Sequence, residues 1–185
     1  MIPGYRLEGR ALVSADECIA AADGAMPPEL YCEADWRRFQ AALDDSILVV
    51  VGRLSHAARP NVRGRRRMVV SSSASGIEQR ADAWWWNPSA ATLAEALAAA
   101  APEGGRVGIT GGRAVFDLFA RLGFDAFDLA RARRVRLPGG VPIFSGLGGA
   151  VDAAAVLKGS GLGRASTEIL DAEADVVLDR WLRGA

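Results

Sequence analysis

Two kinds of apolar pattern alternate along the chain. Residues 47–51, Ile-Leu-Val-Val-Val, form a continuous, largely β-branched apolar run that stops at Gly52. That is the pattern of a central strand buried on both faces. Shorter strands are predicted around residues 10–14, at 68–70, at 84–86 where Asn87-Pro88 closes the run, at 107–110 and at 127–135. Between them the period changes. Trp36, Phe39 and Leu43 fall at i, i+3 and i+7, which predicts an amphipathic helix over 33–43. Thr92-Leu93-Ala94-Glu95 has the spacing of a capping box and opens a helix through Ala100, which Pro102 and Gly104-Gly105 end. Gly111-Gly112 leads into a third helix carrying Val115, Phe116 and Phe119. Residues 167–181 read as a hairpin turning near 171–174. The small-residue stretch 19–28 and the polar, basic tract 53–67 show neither period and are expected as loops. Strands alternating with helices, with no linker between them, predict one α/β domain spanning residues 1–185. It would have a central mostly parallel mixed β-sheet flanked by helices and a C-terminal antiparallel hairpin.

Composition narrows the chemistry. The 22 basic and 22 acidic residues cancel, which argues against a nucleic-acid or polybasic membrane binder. Two cysteines and one histidine, His56, supply too few ligands for a zinc centre or a disulfide framework, so no metal is expected. No apolar run approaches the ~20 residues of a membrane-crossing helix, and the first residues do not have the form of a signal peptide. The expectation is a soluble, cytoplasmic protein acting on a small molecule, as a monomer or homodimer.

Three junctions follow the carboxyl ends of predicted strands, where open α/β sheets bind ligands: Gly52-Arg53-Leu54-Ser55, Ser71-Ser72-Ser73, and Thr110-Gly111-Gly112-Arg113. Glycine admits close backbone approach, helix-opening N–H groups hold phosphate oxygens, and Arg53 and Arg113 offer forked donors to a phosphate. There is neither a G-x-G-x-x-G fingerprint nor a Walker motif, so neither a standard dinucleotide fold nor a P-loop is indicated. Arg63-Gly64-Arg65-Arg66-Arg67 reads as a solvated loop, His56 as a loop polar residue, and Trp84-Trp85-Trp86 as packing.

Taken in order, these junctions resemble the dihydrofolate reductases and their relatives, the riboflavin-pathway pyrimidine reductases. The loop 19–30 is similar to that family's active-site loop, and Ala34-Asp35-Trp36-Arg37-Arg38-Phe39 to the helix bearing its catalytic acid. Val51-Gly52-Arg53-x-Ser55, Gly64-Arg65-x-x-x-Val69-Val70-Ser71-Ser72 and Ile109-x-Gly111-Gly112-x-x-x-Phe116 resemble its three further segments. Ser14-Ala15-Asp16 with Ile19-Ala20 resembles the opening of the pyrimidine reductases. The likeness runs from about Ala11 to Ala130.

The resemblance implies an NADPH-dependent reductase of a small-molecule pterin substrate, with dihydrofolate as the default. Asp35 would be the catalytic acid, in a pocket formed by Met26, Pro28, Trp36, Phe39 and Ala130, with Arg65 at the site that clamps a folate tail. The cofactor would be held by Ala25, Gly52, Arg53, Leu54, Ser55, Ser71, Ser72, Thr110, Gly111, Gly112, Arg113 and Phe116, with a cis peptide between the two glycines. The chain departs from the family at Pro28, where a tryptophan is usual, at Leu54, where a basic residue is common, and at Ala130, where a threonine is common. Two extra residues also enter near Tyr31-Cys32. These departures bear on the substrate. Dihydromethanopterin reduction on the same scaffold, the riboflavin-pathway pyrimidine reduction, and a non-catalytic nucleotide-binding role remain as alternatives, in that order.

Overall fold

The computed structural model describes residues 2–149 and 151–184. In chain order the strands are β1 (Tyr5–Ser14), β2 (Cys18–Ala20), β3 (Leu48–Gly52), β4 (Arg67–Val70), β5 (Ile77–Gln79), β6 (Trp84–Trp86), β7 (Gly105–Ile109), β8 (Ala126–Ala132), β9 (Val141–Pro142), β10 (Leu162–Asp171) and β11 (Val176–Arg183). The helices are α1 (Glu33–Asp44), α2 (Arg53–Ala58), α3 (Leu93–Ala100), α4 (Arg113–Leu122) and α5 (Ala153–Gly159), and Pro28–Leu30 forms a 3₁₀ turn. Nine strands make one sheet in the order β10-β11-β8-β1-β7-β3-β4-β6-β5, while β2 and β9 pair apart from it. The pairings around β1, β3, β4 and β7 are parallel. Antiparallel pairing is confined to the two edges, where the terminal hairpin and β5 add on. The expected mixed sheet is present, with its C-terminal hairpin.

Side-chain alternation gives the sheet two unlike faces. Leu7 and Val13 of β1, Leu48 and Val50 of β3 and Phe127 and Leu129 of β8 point to one side, where α3, α4 and α5 cover them. Phe116, Phe124, Phe127 and Phe144 interlock there, with ring centroids 5.0–6.2 Å apart. Gly9 makes room for this cluster, since a Cβ there would lie 2.2 Å from the Phe127 ring. The capping box at the start of α3 is formed: the Thr92 hydroxyl accepts from the Glu95 N–H while the Glu95 carboxylate accepts from the Thr92 N–H.

The other face is covered by α1. Its start packs Cys32 and Ala34 with Leu12, Ala130 and Leu178. Its end sets Phe39 and Leu43 against Val49, Val51 and Val69. Between these two small apolar clusters the sheet presents charge. Arg10, Asp128 and Arg180 are register partners on β1, β8 and β11, and they form one row of ion pairs with Glu8 beside them. The Glu8 side chain is only 3% exposed.

Several elements differ from the sequence expectation. Within the tract 53–67, residues Arg53–Ala58 form α2, a helix with no buried residue and hence no apolar stripe to announce it. α5 lies in an Ala/Gly-rich stretch and is capped by Asp152, whose carboxylate accepts from the Ala155 N–H at 2.7 Å. β8 stops at Ala132 and not at Val135, because the Val135 N–H turns back to the Ala132 carbonyl. β10 begins at Leu162, ahead of the expected start, and its outward-facing residues carry no alternation.

Candidate active site

The carboxyl ends of β3 and β7 are stapled together. The Gly52 N–H donates to the Gly111 carbonyl at 3.0 Å, and both the N–H and the hydroxyl of Thr110 donate to the Val50 carbonyl. The Gly111-Gly112 peptide is cis. Gly111 has φ +85°, and a Cβ there would come within 2.3 Å of the Phe116 ring, so glycine is required. Phe116 is buried and supports this turn from beneath; it is a floor of the site and not part of its surface. A Cβ at Gly112 would meet nothing within 4 Å, so the ground above this peptide is open.

Beside this turn lie the ends of β3 and β4 and the starts of α2 and α4, which carry most of the other residues proposed for the cofactor. Ser71 is buried, and its hydroxyl bonds to Ser73 and accepts the Ser73 N–H, which shapes the loop after β4 and leaves Ser72 exposed. Arg53 and Arg113 are exposed at the starts of α2 and α4, and among the described residues neither forms an ion pair. Neither helix has a side-chain cap, since Gly52 and Gly112 stand at the N-cap positions. The first N–H groups of α4 are thereby left to an outside acceptor, with the positive end of the helix dipole behind them. Uncapped N–H groups, two unpaired guanidinium groups and the Ser55 and Ser72 hydroxyls suit a ligand that carries both a pyrophosphate and a phosphate monoester. This donor set fits NADPH. Leu54 stands 72% exposed beside it. Ala25 and Met26 lie on a turn closed by the Ala21 N–H to the Ala25 carbonyl, and Met26 Sδ reaches Arg59 Nη2 at 3.9 Å.

Asp35 lies in the first turn of α1, facing the charged belt of the sheet. It borders a cavity of about 20 Å³ with Arg10, Ala11, Arg38, Phe39, Asp128 and Leu178. That is room for about one water molecule. Asp35 makes neither an ion pair nor a side-chain hydrogen bond among the described residues. Arg10 is bound to Glu8 and Asp128, and Arg38 reaches Glu168 at 3.3 Å. Burial pushes the Asp35 carboxyl up to about 6; Arg38 and Arg10 oppose the shift, and the like charge of Asp128 adds to it. A carboxyl that exchanges its proton near neutral pH, with no partner inside the protein, is chemically available.

The remaining pocket residues are dispersed. Phe39 lines the Asp35 cavity, and Trp36 stacks on it at 5.8 Å while remaining partly exposed. Pro28 opens the 3₁₀ turn before α1. Ala130 is fully buried among Leu12, Cys32 and Leu178 and does not border the cavity; Asp128 does. Arg65 is held by Asp44 and Gln40, with Nη2 2.6 Å and 2.8 Å from their side-chain oxygens, and only 15% of its side chain is exposed. Sequence reasoning missed the row Arg10–Asp128–Arg180. The signal was there in β1, where Glu8 and Arg10 share the phase of the buried Leu12, on the face opposite Leu7 and Val13.

No family model and no curated protein sequence matches this chain. Its fold does have matches among solved structures. A dihydrofolate reductase from Enterococcus faecalis, complexed with NADP(H) and RAB-propyl, superposes with a TM-score of 0.67 at 18% identity, covering 100% of this chain and 99% of that one. A putative riboflavin biosynthesis protein from Shewanella sp. PV-4 gives 0.65 at 15% identity, over 96% and 98% of the two chains. A diaminohydroxyphosphoribosylaminopyrimidine deaminase/5-amino-6-(5-phosphoribosylamino)uracil reductase from Thermotoga maritima gives 0.64 at 14% identity; 97% of this chain matches 56% of that longer one. At such identities the likeness is one of architecture, and the chain has the fold shared by dihydrofolate reductases and riboflavin-pathway reductases.

Proposed function

We propose that this protein is an NADPH-dependent reductase of a carbon–nitrogen double bond in a small nitrogen heterocycle, with a 7,8-dihydropterin, dihydrofolate first, as its substrate. The observation that carries this reading is Asp35: a partnerless, half-buried carboxyl able to exchange its proton near neutral pH. It lies on the helix that spans from β8 to the strands whose ends bear the glycine turn. A pterin's amidine edge offers two parallel donors, which is what an unpaired buried carboxylate lacks.

In this reading Arg53 with Ser55 and Ser72 takes the 2′-phosphate end of the cofactor. The N–H groups opening α4, together with Gly111-Gly112 and Arg113, take the pyrophosphate. When bound, NADPH supplies a hydride to the substrate ring. Asp35 in its protonated form holds the proton that passes through water to the ring nitrogen next to the reduced carbon, and the carboxylate left behind accepts the two donors of the amidine edge. Trp36 and Phe39 exclude bulk solvent from one side. General acid–base help of this kind contributes about 10²–10⁴-fold.

A second reading, reduction of the riboflavin-pathway aminopyrimidine, is favoured by Arg65. Its Nε and Nη2 donors are already taken by Asp44 and Gln40, leaving only Nη1 for the carboxylate of a folate tail. Dihydromethanopterin is a further pterin to test. The assay follows NADPH absorbance against dihydrofolate, dihydromethanopterin and the aminouracil intermediate in parallel. Turnover of a pterin is expected, with kcat/KM falling as pH rises through about 6 in the wild type and no such step in Asp35→Asn. Turnover of the aminouracil alone replaces the pterin reading with the second. Tight NADPH binding without turnover of any of the three overturns both and leaves a nucleotide-binding role.

A further inference from the structure

At the opposite end of the strands from the glycine turn, the segments leading into β4 and β6 border an open cleft of about 600 Å³ whose lining includes Arg65, Arg66, Arg67, Arg80 and Asp82. Three of these guanidinium groups have carboxylate partners: Arg65 with Asp44, Arg66 with Glu103, and Arg80 with Glu78. Arg67 has none within ion-pair distance among the described residues. Its Nη1 donates to the Arg59 carbonyl at 3.0 Å and to His56 Nδ1 at 3.1 Å, and its Nε is buried without a partner. Because arginine can only donate, His56 Nδ1 accepts, so the proton of the neutral ring sits on Nε2 and is donated to Asp82 at 2.7 Å. The carboxylate in the cleft wall is thus engaged by histidine and not by arginine. Burial, and next the charge of Arg65, hold Arg67 below its ordinary proton affinity, with the charge of Asp82 opposing them. Beyond the buried Nε, Arg67 Nη2 is the guanidinium donor left without a partner among the described residues, beside three guanidinium groups that each keep N–H donors beyond their carboxylate contacts, and the cleft has room for a tetrahedral anion with a small group attached.

We propose that this cleft is a second anion site, separate from the cofactor loops, that binds phosphate or a phosphomonoester through Arg67 and the neighbouring arginines. The test is a titration of the ¹⁵N-labelled full chain with inorganic phosphate, and separately with glycerol 3-phosphate, at ionic strength held constant with sodium chloride. Saturable shifts are expected in the amides of residues 61–67 and 79–84, and they should persist in Arg53→Ala. Arg67→Gln should weaken binding about tenfold or more, the loss expected for a charge-assisted bond. Asp82→Asn, which retains an acceptor for His56 but removes the opposing charge, should tighten binding by about three- to tenfold. The Asp82 variant keeps the test intact if Arg67→Gln does not fold. Tighter binding of the ester assigns the site to a phosphorylated small molecule, and tighter binding of phosphate assigns it to the free anion. Shifts that do not saturate, that appear only in the cofactor loops, or that are unchanged in both variants overturn the proposal.

Discussion

On one side of the sheet, Phe116, Phe124, Phe127 and Phe144 lock α4 onto β1 and β8 with no charged group among them. On the other, α1 lies across Arg10, Asp128 and Arg180, with Asp35 facing that row. β1, β8 and β11 contribute to both surfaces through alternate positions, and the aromatic side is completed by Phe116 of α4 and by Phe124 and Phe144 of the loops. The aromatic side is close-packed and contributes stability by area removed from water. The α1 side desolvates charges at a cost of several kcal/mol each, recovered only while every partner is present. It also holds one carboxyl, Asp35, that has no ion-pair or side-chain hydrogen-bond partner among the described residues. A protein that tolerates this arrangement beneath one helix is stabilised by the opposite face.

The comparison can be broken by substitution. The largest effect is expected at Phe127→Ala, which opens the aromatic cluster and should cost about 4 kcal/mol in urea unfolding at neutral pH. Next comes Asp128→Ala, which leaves the buried Arg10 with Glu8 alone and takes the carboxylate from Arg180, and should cost about 2–3 kcal/mol. A loss below about 1 kcal/mol would show the row to be solvated after all.

Asp35→Asn should move stability the other way. The folded carboxyl binds its proton more tightly than the unfolded one, from a pKa of 3.8 up to about 6. The native state therefore holds more protons across that window, and stability contributed by the group is present below it and lost as pH rises through about 6. At pH 7 the ionised Asp35 is a net penalty. The amide should remove it and raise stability by about 1–2 kcal/mol at pH 7, and by nothing near pH 3.5. Unfolding curves at the two pH values check this, and an equal change at both would assign the gain to helix propensity.

A smaller effect belongs to Arg53→Ala. It should reduce the preference for NADPH over NADH roughly tenfold and leave unfolding within about 0.5 kcal/mol of the wild type, because the residue is exposed and unpaired. The smallest is Arg65→Gln, measured on the KM for dihydrofolate. Since Asp44 and Gln40 already hold Arg65, a change below about twofold is expected, far less than the loss of one charged hydrogen bond would give.

What could be read in the sequence follows from the same contrast. β3, α3 and α4 are announced by their own residues: a continuous apolar run, a capping box, and an apolar stripe at Val115, Phe116 and Phe119. These elements belong to or support the aromatic side, where burial imposes a period. β2 and β9 are specified by distant partners instead, while α2 has no apolar stripe and α5 only its Asp152 cap to mark it. Cys18 pairs with Pro142, and no local pattern in either segment marks a strand. The glycine turn was legible because Gly111-Gly112 has a conformation that few sequences supply. The charged row was not, because Arg10, Asp128 and Arg180 come together only when three strands far apart in the chain take register. The burial of Arg65 against α1 depends likewise on where the helix lands.

The hydrogen bonds that join β3 to β7 have a consequence for timing. Gly52 ends β3 directly before the loop helix α2, and Thr110 follows β7 in the loop that leads to α4, yet their amides donate across to the neighbouring strand's end. Such amides exchange with solvent only when both loops lift together. The two loops should therefore breathe as one unit, with Gly52 and Thr110 exchanging at a common rate slower than Arg53 or Arg113. A ligand that settles on one loop has then already fixed the other, so the ordering entropy is lost once and not twice.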